Sequence, residues 1–243
     1  MAGRLLYRLL GGKDEQPVKA YDLWAKDYDL QPNNLMLALD EVVFSELLDA
    51  IDIKNKTIID VGCGTGRHWK KIMSKEPDTL TGYDVSQKML EVLEQKIPGA
   101  ITHLQSEYKL VHSATNTIDA VISTLTIAHI QKPEQAMAEW NRVLKPGGFI
   151  LITDYHPAAL QKGGKRTFMY NGGTISVKNY IHSLEKVLAI GGQLNWQRIR
   201  LVEKAVDETL KPYYERENAL DVYESFKGVP VCYGLLFNKK DVI

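Results

Sequence analysis

The sequence predicts a doubly wound α/β fold, in which helices cover both faces of a mostly parallel sheet. Apolar segments of strand length alternate with helical segments between residues 57 and 153, an order that is typical of parallel sheets. A glycine-rich turn, Gly62-Cys63-Gly64-Thr65-Gly66, follows the first of these strands and precedes a helix. Glycines in such a turn let the backbone bend sharply and approach a ligand closely. A small-molecule site is therefore expected at the carboxyl ends of the strands.

The order of the elements follows from hydrophobic periodicity. Helices are predicted over residues 18–28, 34–51, 67–75, 87–96, 134–144 and 177–190, and strands over residues 57–61, 79–84, 101–104, 118–123, 149–153, 193–204 and 229–238. The helix over residues 34–51 shows the periodicity of one buried face. That face consists of Leu35, Leu39, Val42, Val43, Leu47 and Ala50. Residues 207–227 are charged and are predicted to be partly helical.

Individual residues mark where the helices begin and end. Ser86 is predicted to cap the helix over residues 87–96, because its hydroxyl can accept a backbone N–H of the first turn. Pro133 suits the start of the following helix, where its missing N–H donor has no intrahelical partner in any case. Gly147 and Gly148 are predicted to end that helix. A glycine-rich, aromatic stretch then runs to Gly173 without a predicted element.

Composition limits the class of protein. A chain of 243 residues is long enough for one α/β domain with additions. Thirty lysines and arginines balance thirty aspartates and glutamates, so the net charge does not favour a nucleic-acid partner. A local basic group, Lys162, Lys165 and Arg166, is interpreted as a solvated loop.

Cysteine usage and hydropathy give expectations about location. The two cysteines form no metal-binding pattern and indicate a reducing compartment, so a cytoplasmic protein without bound metal is expected. No segment has the length and hydropathy of a membrane span. Residues 1–10 are predicted to form a short amphipathic helix, with an organellar targeting segment as the alternative.

The residues around the glycine turn indicate which ligand it binds. A dinucleotide fingerprint would need glycine where Arg67 stands, and no Gly-Lys-Ser/Thr follows for a phosphate-binding loop. Asp60 precedes the turn, and its carboxylate would repel a pyrophosphate but attract a positively charged ligand. S-adenosylmethionine carries an ammonium and a sulfonium, and it is therefore the expected cofactor. Asp84 ends the next strand, 18 residues after Gly66, where a carboxylate can accept both hydroxyls of a ribose.

Four segments in this order carry a resemblance to a known family. They are Tyr21 to Asp29, Asp60 to Gly66, Thr81 to Asp84 and Arg142 to Gly148. With them the chain resembles the class I S-adenosylmethionine-dependent methyltransferases, in particular the small-molecule branch that includes the ubiquinone and menaquinone biosynthesis methyltransferases. The resemblance implies a single domain with a seven-stranded Rossmann-like sheet whose last strand, residues 229–238, is antiparallel. It also implies N-terminal lid helices over residues 1–52, a cofactor-binding core over residues 53–154 and a substrate-side region over residues 155–243.

The resemblance further implies the cofactor-binding residues. Glu107 takes the place of the acidic residue that accepts a hydrogen bond from the adenine amine, although Tyr108 departs from the small or aliphatic neighbour usual in the family. Ser123 and Thr124 take the place of the segment beneath the methionine moiety. The full predicted set is Tyr28, Asp60, Gly62, Cys63, Gly64, Gly66, Asp84, Val85, Met89, Glu107, Tyr108, Ser123 and Thr124.

The acceptor side is expected to need few catalytic groups. Methyl transfer from a sulfonium is an in-line displacement, so a general base is needed only if the nucleophile must lose a proton. His156 and His129 are the candidate catalytic residues. Tyr21, Tyr155 and Tyr170 are the candidate acceptor-binding residues. A packing role is the alternative for each, and His156 can simply shape the turn before Pro157.

Three functions remain open from the sequence. A small-molecule methyltransferase is the leading one, with the acceptor, the methylated atom and a homodimeric state undecided. A non-catalytic S-adenosylmethionine-binding regulator or partner subunit is the alternative, and no sequence feature excludes it. A nicotinamide-dependent oxidoreductase is disfavoured by Arg67 and Asp60.

Overall fold

The computed structural model of the protein describes residues 13–31, 34–106 and 108–241. The predicted segment over residues 1–10 lies outside this part of the chain. The strands are β1 (Lys13–Glu15), β2 (Thr57–Val61), β3 (Thr79–Asp84), β4 (Ile101–Leu104), β5 (Ile118–Thr124), β6 (Leu144–Tyr155), β7 (Arg166–Tyr170), β8 (Gly173–Val177), β9 (Trp196–Ala205) and β10 (Pro230–Lys239). The helices are α1 (Pro17–Trp24), α2 (Leu35–Leu48), α3 (Trp69–Met73), α4 (Gln87–Lys96), α5 (Pro133–Val143), α6 (Pro157–Gln161), α7 (Leu184–Gln193), α8 (Lys211–Arg216) and α9 (Leu220–Phe226).

Seven strands form the main sheet, in the order β4-β3-β2-β5-β6-β10-β9. The first five run parallel. Helices α3, α4 and α5 form three of their four crossover connections, and β4 is joined to β5 without a helix among the described residues. β10 is antiparallel to both of its neighbours, with Leu235 opposite Ile152 of β6 and Leu201 of β9. The predicted α/β fold, with its seven strands and its antiparallel last strand, is confirmed.

Alternate residues of the parallel strands feed two hydrophobic cores, one on each face of the sheet. Ile58 and Leu151 belong to the core that also contains α2, α3 and α4. Their neighbours Ile59 and Ile150 belong to the core that contains α5 and α7. Because successive strand residues point to opposite faces, the uninterrupted apolar runs of β2 and β6 are those of strands covered by helices on both sides.

A second, three-stranded sheet with the order β1-β8-β7 was not predicted. β7 and β8 form a hairpin, and the short N-terminal strand β1 pairs in parallel with β8. Asn171 and Gly172 connect the hairpin with φ angles of 48° and 76°. An Asn-Gly pair with two positive φ angles suits a tight hairpin turn whose twist matches the strands. The sequence signal was therefore present in the stretch that was left without an element.

The helix predicted over residues 177–190 begins later than expected. Val177 ends β8, and the helix α7 starts at Leu184 with Ser183 as its cap, whose hydroxyl accepts the Lys186 N–H at 3.2 Å. The prediction was wrong at this end because hydrophobic periodicity alone does not separate a hairpin strand from a helix that follows it closely.

Two other boundary predictions need correction. α5 ends at Val143, before Gly147 and Gly148, because Leu144 already pairs with Ile118 at the start of β6. In α2, Val42 is 53% exposed because the buried face is centred on Leu39, Val43 and Leu47. In contrast, α4 covers Gln87–Lys96 as predicted, and the Ser86 hydroxyl accepts the Met89 N–H at 3.2 Å.

Candidate active site

The glycine turn after β2 lies at the edge of an open space. Gly62 and Gly64 have φ angles of 74° and 54°, values that glycine adopts at little cost and other residues rarely adopt. A Cβ atom at Gly62 would overlap the side chain of Thr126, whereas a Cβ at Gly64 would have no atom within 4 Å. Gly62 is therefore required by packing, and Gly64 leaves its side of the turn open to a ligand.

Two connected cavities lie at the carboxyl ends of β2, β3 and β5. The main cavity has a volume of about 540 Å³, which falls in the range of about 300–1,000 Å³ typical of small-molecule sites. The side cavity has a volume of about 70 Å³. Both are lined by Pro17, Gly62, Asp84, Val85 and His129, so they form one continuous space that α1 helps to enclose.

Asp84 joins the end of β3 to the glycine turn. Its carboxylate accepts the Gly64 N–H at 2.7 Å and the Ser86 N–H at 2.8 Å. Burial raises the pKa of Asp84 to about 6, and these backbone hydrogen bonds limit the rise. The carboxylate lines both cavities, so it can serve a ligand while it also fixes the shape of the turn.

Asp60 is buried directly beneath the turn. One carboxylate oxygen accepts the Trp69 indole N–H at 2.9 Å, and the other has no hydrogen-bond partner among the described residues. Burial raises the pKa of Asp60 to about 6, against the effect of the Trp69 hydrogen bond. A buried carboxylate oxygen without a donor is costly, and a cationic or hydrogen-bonding ligand would satisfy it.

The other predicted cofactor-binding residues divide into two groups. Tyr28, Val85, Met89 and Thr124 line the side cavity or both cavities, and Tyr108 lines the main cavity. Cys63, Gly66 and Ser123 line neither.

A hydrogen bond and side-chain packing explain why Ser123 and Gly66 line neither cavity. The Ser123 hydroxyl donates to the Val61 carbonyl at 3.0 Å, and Gly66 lies against Leu93. Glu107, predicted to hold the adenine amine, lies outside the described residues.

Arg166 is a charged cavity-lining residue that was not predicted from the sequence. It was interpreted as part of a solvated loop, but it stands at the start of β7, is 4% exposed and lines the side cavity. Its guanidinium donates to the Leu125 carbonyl at 3.0 Å and to the Tyr21 hydroxyl. Nothing in the local sequence signals this burial, because it results from the hairpin folding back over β5.

Tyr21 and His129, both predicted site residues, meet at Arg166. The Tyr21 hydroxyl lies 2.8 Å from His129 Nε2, and His129 Nδ1 lies 3.0 Å from the Lys178 carbonyl. Because a carbonyl only accepts hydrogen bonds, Nδ1 carries the proton and Nε2 accepts. Burial, together with the Arg166 charge, lowers the pKa of His129 to about 3. His129 is therefore neutral, and its unprotonated Nε2 faces the Tyr21 hydroxyl.

The structure does not bring the remaining predicted acceptor-side residues to these cavities. His156 caps α6, where its Nδ1 accepts the Ala158 N–H at 3.1 Å and its Nε2 lies 2.9 Å from Glu203. Tyr155 lines a separate apolar cavity of about 80 Å³. Tyr170 is 38% exposed at the end of β7. His156 therefore has the turn-shaping role that was the alternative to catalysis, because it caps α6 and pairs with the Glu203 carboxylate.

Two absences concern the residues that the structure describes. Within them, no three histidine, cysteine, aspartate or glutamate side chains are grouped as metal ligands would be. No helix within the same residues has the length and apolar character needed to cross a bilayer.

Replacing Gly64 with alanine is expected to weaken binding of S-adenosylhomocysteine by about tenfold or more, because the added methyl group would project into ligand space. The positive φ angle adds about 1–2 kcal/mol of destabilisation. Gly99→Ala is the matched control, since Gly99 has a φ angle of 87° and no atom within 4 Å of the added Cβ, but lies outside both cavities. Calorimetric titration of both variants checks this, and equal affinities would contradict it.

Comparison with known proteins places these residues in a family context. The methyltransferase domain family matches residues 59–152. The ubiquinone/menaquinone biosynthesis C-methyltransferase UbiE of Syntrophotalea carbinolica is 30% identical over 149 residues, which cover 59% of this chain and 62% of the relative. The demethylmenaquinone methyltransferase of Staphylococcus aureus is 25% identical over 239 residues, which cover 93% of this chain and 95% of the relative. Several other curated relatives are matched over less than two thirds of their own length.

Solved structures agree on the fold. An S-adenosylmethionine-dependent methyltransferase from Mesorhizobium loti superposes with a TM-score of 0.62 at 14% identity, covering 80% of this chain and 96% of the other. At this identity the likeness concerns the backbone architecture alone.

Proposed function

We propose that the chain is a class I S-adenosylmethionine-dependent methyltransferase and that it transfers a methyl group from S-adenosylmethionine to a small-molecule acceptor. The observation that carries the proposal is the pair of buried carboxylates at the glycine turn: Asp84 lines both cavities, and Asp60 lies beneath the turn without lining either. Carboxylates at this place favour a cationic ligand and repel a phosphate group. The balance of charges in the whole chain agrees with a small acceptor rather than a nucleic acid.

The residues at the turn fit the cofactor. Asp84 would accept hydrogen bonds from the ribose hydroxyls, and the charge of Asp60 would stabilise the ammonium group. Gly64 would let the backbone lie against the methionine moiety, since its Cα has open space in front of it. Tyr28 lines the side cavity with its ring, and an aromatic ring stabilises a nearby sulfonium through cation–π attraction.

The protein's part in the reaction is mainly to position the acceptor. When bound, S-adenosylmethionine supplies the methyl group on an activated, positively charged sulfur. Holding an acceptor in line with such a group contributes about 7–11 kcal/mol toward lowering the barrier. Tyr21, His129 and Arg166 line the side cavity together. His129, the predicted base, has a pKa of about 3, too low for it to take up a proton near neutral pH. Its proposed role is therefore to orient the Tyr21 hydroxyl, whose hydrogen bond its Nε2 accepts.

Two measurements test the proposal. Calorimetry is expected to detect S-adenosylhomocysteine binding and no binding of NAD. Incubation with methyl-labelled S-adenosylmethionine and a small-metabolite extract is expected to transfer label to an extractable product. Binding without any transfer would favour the regulator alternative, and NAD binding without S-adenosylhomocysteine binding would reject the proposal.

The affinity for S-adenosylhomocysteine is expected to rise between about pH 5 and about pH 7. Asp60 and Asp84 have pKa values of about 6 in the free protein. An ammonium group and ribose hydroxyls favour the ionised carboxylates, so binding lowers these pKa values and releases protons in this window. Because binding is linked to ionisation, the affinity can rise by up to about tenfold per pH unit for each proton that binding releases.

Calorimetry at pH 6 in two buffers of different ionisation enthalpy would measure the protons released. Proton uptake, or an affinity that falls from pH 5 to pH 7, would contradict the expectation. The stability of the ligand-free fold is expected to change in the opposite direction, because it falls as the pH rises. The raised pKa values contribute stability that is fully present below pH 3.8 and is lost as the pH rises through about 6.

A further inference from the structure

The Arg166 guanidinium is a buried positive charge without a hydrogen-bonded carboxylate partner among the described residues. The side chain is 4% exposed, and its Nη2 atom has no hydrogen-bond partner in the described part of the chain. Asp154, a buried carboxylate at the end of β6, interacts electrostatically with Arg166 but forms no hydrogen bond with it; its oxygens accept the N–H groups of Ala128 and Tyr155 at 2.8 and 2.7 Å. An arginine does not lose its proton in a protein, and a buried charge without its partner is strongly unfavourable.

The neighbours of Arg166 orient it without neutralising it. Nη1 donates to the Leu125 carbonyl at 3.0 Å and lies 3.2 Å from His129 Nε2. The guanidinium carbon lies 5.8 Å from the centre of the Tyr21 ring and 5.4 Å from that of Tyr155. Neutral groups therefore hold the arginine in one orientation. Its side chain lines the side cavity, and its buried Nη2 atom has no hydrogen-bond partner among the described residues.

The open hydrogen-bonding position at Nη2 then favours an anion next to Arg166. Asp60 and Asp84 can balance the sulfonium and the ammonium of the cofactor, but neither of them is hydrogen-bonded to Arg166. A planar carboxylate in the side cavity would accept the Nη2 hydrogens. The methionine carboxylate of the cofactor and an acidic group of the acceptor share this chemistry.

We propose that Arg166 binds a carboxylate of the methyl acceptor, so that the acceptor is an acidic small molecule. This inference rests on the proposed function. The contacts of Arg166 favour the acceptor over the cofactor, because its Nη1 atom touches Tyr21 and His129, the residues proposed for the acceptor side. The hairpin places its one buried arginine over the end of β5, where Thr124 and Leu125 also line the side cavity.

The inference is tested by comparing the affinities of an acid and of the amide of nearly the same shape. The protein is saturated with S-adenosylhomocysteine, and binding of benzoate and of benzamide is measured by ligand-observed NMR. We expect benzoate to bind about ten- to hundredfold more tightly, as a charge-assisted hydrogen bond does over a neutral one. Arg166→Met is expected to abolish this preference, and Arg166→Lys to retain part of it, since lysine keeps the charge but loses the planar fork.

Lys165→Met is the matched control. Lys165 is the neighbouring cation, but it is only partly buried, pairs with Asp14 at 3.4 Å and lines neither of the two connected cavities. Its loss should leave the preference for benzoate unchanged, which separates a specific contact from general attraction by positive charge.

Each other outcome overturns the inference in a distinct way. Equal binding of benzoate and benzamide to the wild type, with S-adenosylhomocysteine bound, would reject the acidic acceptor and leave the proposed function intact. If Arg166→Met weakens S-adenosylhomocysteine but not 5′-methylthioadenosine, which lacks the amino-acid group, the anion is that of the cofactor. If S-adenosylhomocysteine does not bind the wild type, the proposed function and the inference fail together.

Discussion

Replacing Asp40 with alanine is expected to lower the free energy of unfolding by about 3–5 kcal/mol, the usual effect of removing one partner from a buried charged network. Asp40 of α2 is fully buried and pairs with Arg67, with His68 at 2.8 Å and with the Thr153 hydroxyl. Burial alone would raise its pKa, but Arg67 and His68 more than offset that effect and hold the pKa well below its usual range. Urea denaturation at neutral pH measures the change.

Asp49→Ala provides the control for this variant. Asp49 follows the same helix and pairs with Lys75 at 2.8 Å, but its side chain is 72% exposed. An exposed ion pair contributes about 0–1 kcal/mol. A loss below about 1 kcal/mol for Asp40→Ala as well would mean that water reaches Arg67 and His68 and that the network is not needed for the fold.

Replacing Asp84 with alanine is expected to weaken S-adenosylhomocysteine binding by about tenfold to more than a hundredfold. Hydrogen bonds to a charged group contribute about 1.5–3 kcal/mol, and Asp84 also holds the Gly64 N–H at 2.7 Å, so the turn loses support at the same time. Calorimetric titration of the variant against the wild type measures the loss.

Asp78→Ala is the matched control, because Asp78 is an exposed carboxylate just before the opposite end of β3. Its removal should leave the affinity unchanged. An Asp84→Ala protein that is folded and binds S-adenosylhomocysteine as tightly as the wild type would remove Asp84 from the cofactor site.

Local signals in the sequence determined most of the fold. The apolar runs of β2 to β6 and the cap at Ser86 involve residues close in sequence, so their pattern can be read without knowing the partners. The glycine turn and the acids beside it are equally local, because the turn conformation and the strand ends lie within about two dozen residues. The same reasoning predicted Asp60, Asp84 and Gly64 together. The prediction missed β7 and β8, although the Asn171-Gly172 pair between them favours a hairpin turn.

The grouping of the residues proposed for the acceptor was decided only by tertiary structure. Tyr21, His129 and Arg166 lie more than 30 residues apart in the chain, and they meet because the added hairpin packs over the end of β5. His156 was predicted from the sequence as a candidate base, yet in the fold it caps α6 and faces Glu203. Arg166 was predicted to lie in a solvated loop, yet it is buried. Whether a polar side chain faces solvent or a cavity depends on elements distant in sequence that pack against it, and no local pattern records them.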